Sequence, residues 1–272
     1  MIRLIAVDLD GTLLDHRKQI SAENVRAIAA AQAQGVLVTV CSGRSLTEAA
    51  AFAERAGCAD RMICEGGTMI ADRSTLHILQ NWTMPPESAY AALDCSAAHG
   101  LAVMYYANGQ IVTTASARDR LFAGDNGYIG RPEALVIVPD LAAHARNSHA
   151  PICKLLACGE ESMLANVRAS LVSLPGITLT SSGEDNFEVL PAGTDKGTAL
   201  LHLCEQLGLM TDECAAIGDN ENDLSMLNAA GFAVAMGNAP AAVQACADFV
   251  TADNSSDGAA KAVWHILSQN EE

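Results

Sequence analysis

Positive charge is scarce in this chain. Sixteen lysines and arginines face 32 acids, leaving a formal charge of −16, a field that repels nucleic-acid phosphates and acidic lipid headgroups. Nucleic acid and membranes are therefore excluded as partners, and any anionic ligand must be held by local positive groups. Aromatic residues make up only 4%, which disfavours large stacked ligands. No apolar run approaches the roughly 18 residues that a membrane helix needs, and the chain reaches Asp8 before a signal peptide's apolar segment could be complete; a cytoplasmic location is expected. The nine cysteines are odd in number and contain no C-x-x-C pair, so they read as small buried hydrophobes in a reducing compartment. The seven histidines show no H-x-x-x-H or H-E-x-x-H spacing, so a zinc site has no signature here.

What the chain has in abundance is apolar residues, 50% of 272, enough for one large or two modest cores. Short β-rich runs alternate with alanine-rich helical stretches, the pattern of an α/β fold with a mostly parallel sheet. Five runs read as central strands: residues 3–8, 36–41, 61–64, 214–217 and 232–235. Most are apolar at nearly every position, as strands covered on both faces should be. A helix over 22–34 is expected between Ser21 as N-cap and Gly35 as stop. A second opens on the capping-box pattern Ser45-Leu46-Thr47-Glu48 and stops at Gly57. From about residue 83 the texture changes, and all four tyrosines fall in the stretch that follows. Asn108-Gly109 marks a hairpin turn between 101–106 and 111–114. An inserted second domain at 83–187 is expected, leaving 1–82 and 188–272 as the core.

The strand ends carry the chemistry. The opening MIRLIAVDLDGTLLD places Asp8 at the carboxyl end of the first strand with Asp10, Gly11 and Thr12 in the turn, at the edge where open α/β sheets bind ligands. The second strand ends in Cys41-Ser42-Gly43-Arg44, a hydroxyl, a flexible backbone and a guanidinium before a helix, which are anion-binding parts. The insert returns through Gly193-Thr194-Asp195-Lys196-Gly197, with a lysine at a helix start. The fourth strand ends in Gly218-Asp219-Asn220-Glu221-Asn222-Asp223, bringing two more aspartates to the same edge. Two like charges about 4 Å apart cost around 4 kcal/mol at an effective dielectric near 20, and a divalent cation resolves the conflict. Oxygen-only ligands beside phosphate-binding groups favour magnesium. Each piece alone also has a plain structural reading, as a turn, a solvated lysine or a helix-dipole aspartate; their joint order at strand ends points to an active site.

Asp8-Leu9-Asp10-Gly11-Thr12, Ser42-Gly43-Arg44, Lys196 and Gly218-Asp219-x-x-Asn222-Asp223, in that order, resemble the four motifs of the haloacid dehalogenase superfamily. The insert, together with Met236-Gly237-Asn238-Ala239 and Thr251-x-x-Asn254-x-x-Asp257-Gly258, is similar to the Cof-like phosphatase subfamily. The resemblance implies a doubly wound, Rossmann-like parallel core with an inserted α+β cap. It also implies a phosphatase that hydrolyses a small phosphorylated metabolite, a sugar phosphate or a phosphorylated cofactor such as pyridoxal phosphate. By the same resemblance, Asp8 is the nucleophile that forms an aspartyl-phosphate and Asp10 the general acid, then base. Magnesium is held by Asp8, the Asp10 carbonyl and Asp219, with Asp223 in support. Ser42, Gly43, Lys196 and Asn222 bind the phosphate, and Arg44 supports them.

One departure stands out: relatives commonly carry Asn-Gly after the third core strand, where this chain reads Glu65-Gly66-Gly67, so a polar side chain at 66 is missing. A phosphomutase of similar core and a non-enzymatic magnesium-binding phosphoacceptor module remain alternatives. Lys154 is explained about as well by a half-exposed strand position as by a family role. A monomer and a homodimer are both compatible with the sequence.

Overall fold

The computed structural model describes residues 1–122, 130–181 and 185–270. The chain begins with β1 (Leu4–Val7), α1 (Ala22–Ala33), β2 (Leu37–Val40) and α2 (Leu46–Ala56), then runs through an antiparallel meander of β3 (Arg61–Cys64), β4 (Met69–Asp72) and β5 (Ile78–Asn81). A second layer follows: α3 (Pro86–Ala98), β6 (Ala102–Ala107), β7 (Gln110–Thr113), α4 (Ala115–Leu121), β8 (Leu135–Ile137), α5 (Leu141–Ser148), β9 (Ile152–Cys158), α6 (Glu161–Leu171), β10 (Ile177–Thr180) and β11 (Asn186–Pro191). The chain then returns with α7 (Lys196–Leu207), β12 (Cys214–Gly218), α8 (Leu224–Ala229), β13 (Phe232–Ala235), α9 (Ala241–Gln244), β14 (Phe249–Val250) and α10 (Gly258–Asn270).

The core sheet is parallel, in the order β14-β13-β12-β1-β2. β1 is buried at every position because both faces are covered. Ile5 and Val7 pack in one cluster with Ala27 and Ile28 of α1 and Ile266 of α10, while Leu4 and Ala6 pack in another with Ala199, Leu200 and Leu203 of α7. The period-2 alternation of a strand thus divides one apolar run between two helical layers, which is the doubly wound arrangement.

The run at 61–64 is a strand, but not a full member of the parallel sheet. β3 pairs antiparallel with β4 and touches β2 through the single bridge Cys41↔Ile63. The Thr39 hydroxyl donates to the Arg61 carbonyl, occupying an acceptor that a continuous ladder would use. At α1 the Ser21 hydroxyl caps Asn24 N–H as expected. At α2 it does not: the Ser45 hydroxyl donates 2.7 Å to the Glu48 carboxylate and makes no backbone cap. Gly57 ends α2 in the left-handed conformation.

The cap is a six-stranded sheet, β10-β11-β9-β6-β7-β8, antiparallel except where β8 runs parallel to β7. The β6–β7 turn has Asn108 at φ 53° and Gly109 at φ 74°, the doubly positive geometry that favours Asn-Gly. Between β6 and β9 the register slips: Tyr106 faces Lys154 and Ala107 faces Ile152. Cys153 is therefore an extra residue, a β-bulge that re-aims its strand, and both Cys153 and Lys154 make hydrogen bonds to the core. Six of the nine cysteines are buried, whereas Cys246 is exposed. Among the described residues, no helix is long and apolar enough to cross a membrane.

Candidate active site

The ends of β1 and β12 adjoin, and their loops meet. Asp8 follows β1 and is buried, its Oδ1 accepting 2.6 Å from Lys196 Nζ. Lys196 is the first residue of α7, whose Asp195 and Thr198 form a reciprocal capping box, so the helix start is fixed and the lysine is aimed across the strand ends. Its ammonium also donates 2.6 Å to Asp223. Asp223, fully buried, accepts from the N–H groups of Asp219 and Asn220 at 2.9 and 3.1 Å as well. Asp223 thus folds the 218–223 loop onto itself and holds Lys196. The mutual repulsion expected of Asp219 and Asp223 is partly answered by this lysine and by backbone N–H groups, which lowers the share left for a cation.

Asp8, Asp219 and Asp223 each offer a carboxylate oxygen within 4.8 Å of the others. Burial, reinforced by the neighbouring Asp223 and Asp219, pushes the Asp8 carboxyl well up despite Lys196. Burial and Asp223 push Asp219 up to about 6. Burial alone would lower Lys196, but Asp223 and Asp8 raise it well above its usual value, so it stays charged. One buried cation among three carboxylates leaves surplus negative charge in an all-oxygen donor set, a fit for a hard divalent ion. Thr12 holds Asp219 in place through a 2.9 Å hydrogen bond. Gly11, at φ +84°, is required here: a Cβ would lie 2.2 Å from Asp219 Oδ2.

Asp10, expected to offer its carbonyl to the metal, turns its side chain elsewhere. Its carboxylate is not in that cluster among the described residues; it accepts from Arg44 Nε and Nη2 at 2.7 and 2.8 Å and from Lys18 Nζ at 2.6 Å. Burial would raise its pKa, but the two cations hold it down at about 2. Lys18, which sits at φ 57°, gave no sequence signal. Arg44 is where the motif places it, with the Ser42 hydroxyl accepting from its N–H at 3.2 Å. Asn222, half-buried, lines a cavity of about 380 Å³ with Lys196, Thr194 and Ser225 from the core and Thr178, Thr180, Arg168 and Glu188 from the cap.

The cap comes down on this site through Lys154. Buried rather than half-exposed, its Nζ reaches the Gly43 carbonyl at 3.0 Å and Glu188 at 2.8 Å. At Gly66 the missing side chain leaves a space faced by Leu190 and by Glu188 Oε2, 3.6 Å from where a Cβ would stand. Polarity at that spot is supplied by the cap strand β11. Glu65 beside it is buried and receives hydrogen bonds from the Cys153 thiol at 2.9 Å and the Leu46 N–H at 3.4 Å; burial dominates, and its carboxyl rises to about 7.

A parallel sheet with acids at its carboxyl edge, a buried lysine among them and a mixed sheet laid over them defines a class, the capped phosphoryl-transfer hydrolases, and comparison with known proteins gives the family. The chain matches the haloacid dehalogenase-like hydrolase family model over residues 5–263. It is 31% identical to phosphatase YwpJ of Bacillus subtilis strain 168, over 98% of this chain and 100% of that protein. It is 28% identical to pyridoxal phosphate phosphatase YbhA of Escherichia coli K12, over 97% and 98%. A crystal structure of a haloacid dehalogenase-like hydrolase from Bacteroides thetaiotaomicron matches with a TM-score of 0.84 and 29% identity, covering 98% of this chain and all of that one. The chain belongs to the haloacid dehalogenase-like hydrolases, in their Cof-like branch. It is a phosphatase of small phosphorylated metabolites, a phosphoric monoester hydrolase.

Proposed function

We propose that the protein is a magnesium-dependent phosphatase that works through an aspartyl-phosphate on Asp8, with residues 1–82 and 188–272 as the catalytic core and 83–187 as the cap, whose sheet also takes in the returning strand β11 as far as Pro191. The observation that carries this reading is the convergence of Asp8, Asp219 and Asp223 around Lys196 beneath the cap. Asp8 attacks phosphorus and the P–O bond to the leaving group breaks, with Asp10, once it has left Arg44 and Lys18 and taken a proton from solvent, giving that proton to the departing alkoxide. Water then attacks the phosphorus of the acyl phosphate, the P–O bond to Asp8 breaks, and Asp10 accepts the water's proton. Lys196, Ser42, the Gly43 N–H and Asn222 hold the phosphoryl oxygens, and Asp223 positions Lys196; positioning and charge stabilisation dominate this class of reaction. Magnesium, held by Asp8, the Asp10 carbonyl and Asp219, supplies charge neutralisation at the phosphoryl oxygens when bound.

The substrate is a sugar phosphate or a phosphorylated cofactor such as pyridoxal phosphate. The hydroxyls of Thr178, Thr180 and Ser225 and the absence of an aromatic ring among the described residues that line the cavity beside Lys196 support the sugar phosphate. Phosphate release from a panel of phosphorylated metabolites, with and without magnesium, tests the proposal. Magnesium-dependent release that vanishes in Asp8→Asn is expected. No release by a correctly folded wild-type protein would overturn it, and transfer back to substrate without free phosphate would identify a mutase.

A further inference from the structure

Arg44 lies between two carboxylates. Its Nε and Nη2 grip Asp10 at 2.7 and 2.8 Å, while Nη1 faces Glu48 at 3.3 Å, and its guanidinium lies over the Phe52 ring, 4.8 Å from the centroid. Its side chain is 18% exposed, so it has little water to fall back on. Glu48, in the first turn of α2, is buried, and its other oxygen accepts from the Ser45 hydroxyl at 2.7 Å. The reaction described above has no use for Glu48.

With both oxygens of Asp10 engaged by cations, the carboxylate cannot at the same moment take a proton from water at the phosphoryl site. Turnover requires it to let go. Lys18, 34% exposed, can turn to solvent, but a largely buried guanidinium left without a partner is severely unfavourable. The long single contact to Glu48 has room to tighten as Asp10 departs.

We propose that Glu48 is a positioning residue that takes over Arg44 when Asp10 swings to the phosphoryl group, making that swing possible. The inference rests on the hydrolytic reading above.

p-Nitrophenyl phosphate separates the two half-reactions. Nitrophenolate leaves without a proton as Asp8 bonds to phosphorus, whereas in the second step water bonds to phosphorus, the bond to Asp8 breaks and Asp10 takes the proton. The full chain with magnesium is compared as wild type, Glu48→Gln, Arg44→Gln and the double variant by rapid mixing. Glu48→Gln keeps shape and the Ser45 hydrogen bond but removes the charge. It is expected to show a nitrophenolate burst at the wild-type rate followed by a steady state slower by about tenfold or more, a part of the roughly 10²–10⁴-fold that proton transfer contributes. The double variant is expected to be no slower than Arg44→Gln, because Glu48 acts only through Arg44. Burst and steady state falling together in Glu48→Gln, unchanged kinetics, or a defect that persists on the Arg44→Gln background would each overturn the proposal. Wild-type protein that releases no nitrophenolate would instead sink the hydrolytic reading, and that outcome is visible before any variant is compared.

Discussion

Lys154 Nζ, on the bulged cap strand, donates to the carbonyl of Gly43, 3.0 Å away on the loop that follows β2. The same ammonium pairs with Glu188 at 2.8 Å, and both side chains are almost wholly buried. The cap is thus fastened to the candidate phosphate loop by a charge that has no contact with bulk water.

Breaking that pair on one side leaves a buried carboxylate. Lys154→Met should lower the unfolding free energy by about 3–5 kcal/mol, and replacing both residues by apolar ones should recover most of that loss. Chemical denaturation of the single and double variants checks it; a loss near zero in the single variant would mean that Glu188 finds water.

Asp8→Asn should abolish turnover and, without metal, raise the melting temperature. Burial beside Asp223 and Asp219 disfavours the charged Asp8 in the folded state despite Lys196, so neutralising it relieves that state, a trade of stability against activity. Added magnesium should then stabilise the wild type more than the variant. Equal shifts in thermal melts of the two proteins would remove Asp8 from the ligand set.

Gly11→Ala should cut activity and magnesium response together, since its methyl would meet the Asp219 carboxylate and its backbone has positive φ. Gly193→Ala, also at positive φ but with nothing within 4 Å, should cost about 1 kcal/mol of backbone strain and leave kcat alone. Similar losses of activity in both would show that strain, not the contact with Asp219, is responsible.

Glu65 makes stability depend on pH. Its folded pKa of about 7 lies above the usual value near 4.3, so between these values the folded protein holds a proton that the unfolded chain releases. Stability therefore falls as pH rises through that window and levels off above about 7. Glu65→Gln should remove this slope and gain on the wild type by on the order of 3 kcal/mol between pH 5 and 8. Denaturation midpoints across the range decide it; a constant difference would mean that Glu65 titrates as an exposed acid does.

The residues read from the sequence as site candidates are mostly those whose position follows from a strand end or helix start. Asp8, Lys196, Asp219 and Asp223 meet because β1, α7 and β12 fix their backbones, and such ends are marked by apolar runs and capping residues. The side-chain direction of Asp10 was not legible, because Lys18 approaches it from a turn whose φ of 57° no pattern announces. Glu48 read as half of a capping box with Ser45 three residues before it; the alternative, a carboxylate facing Arg44, lies one residue further back at a spacing that a helix start serves equally well. The bulge at Cys153 was equally hidden, since an extra residue in a strand leaves the apolar alternation only locally disturbed, and it is what lets two consecutive residues reach the core.

The last part of the chain also shapes its beginning. Asn238 Nδ2 donates 2.9 Å to the Gly11 carbonyl across 227 residues, and Asn254 Nδ2 donates 2.8 Å to the Leu14 carbonyl across 240. Ribosomes deliver the earlier residues first, so the loop bearing Asp8 waits for the residues 227 and 240 positions further on before these two amide clasps close. Such distant pairings slow folding, and a nascent chain displays an incomplete Asp8 loop until Asn254 has emerged.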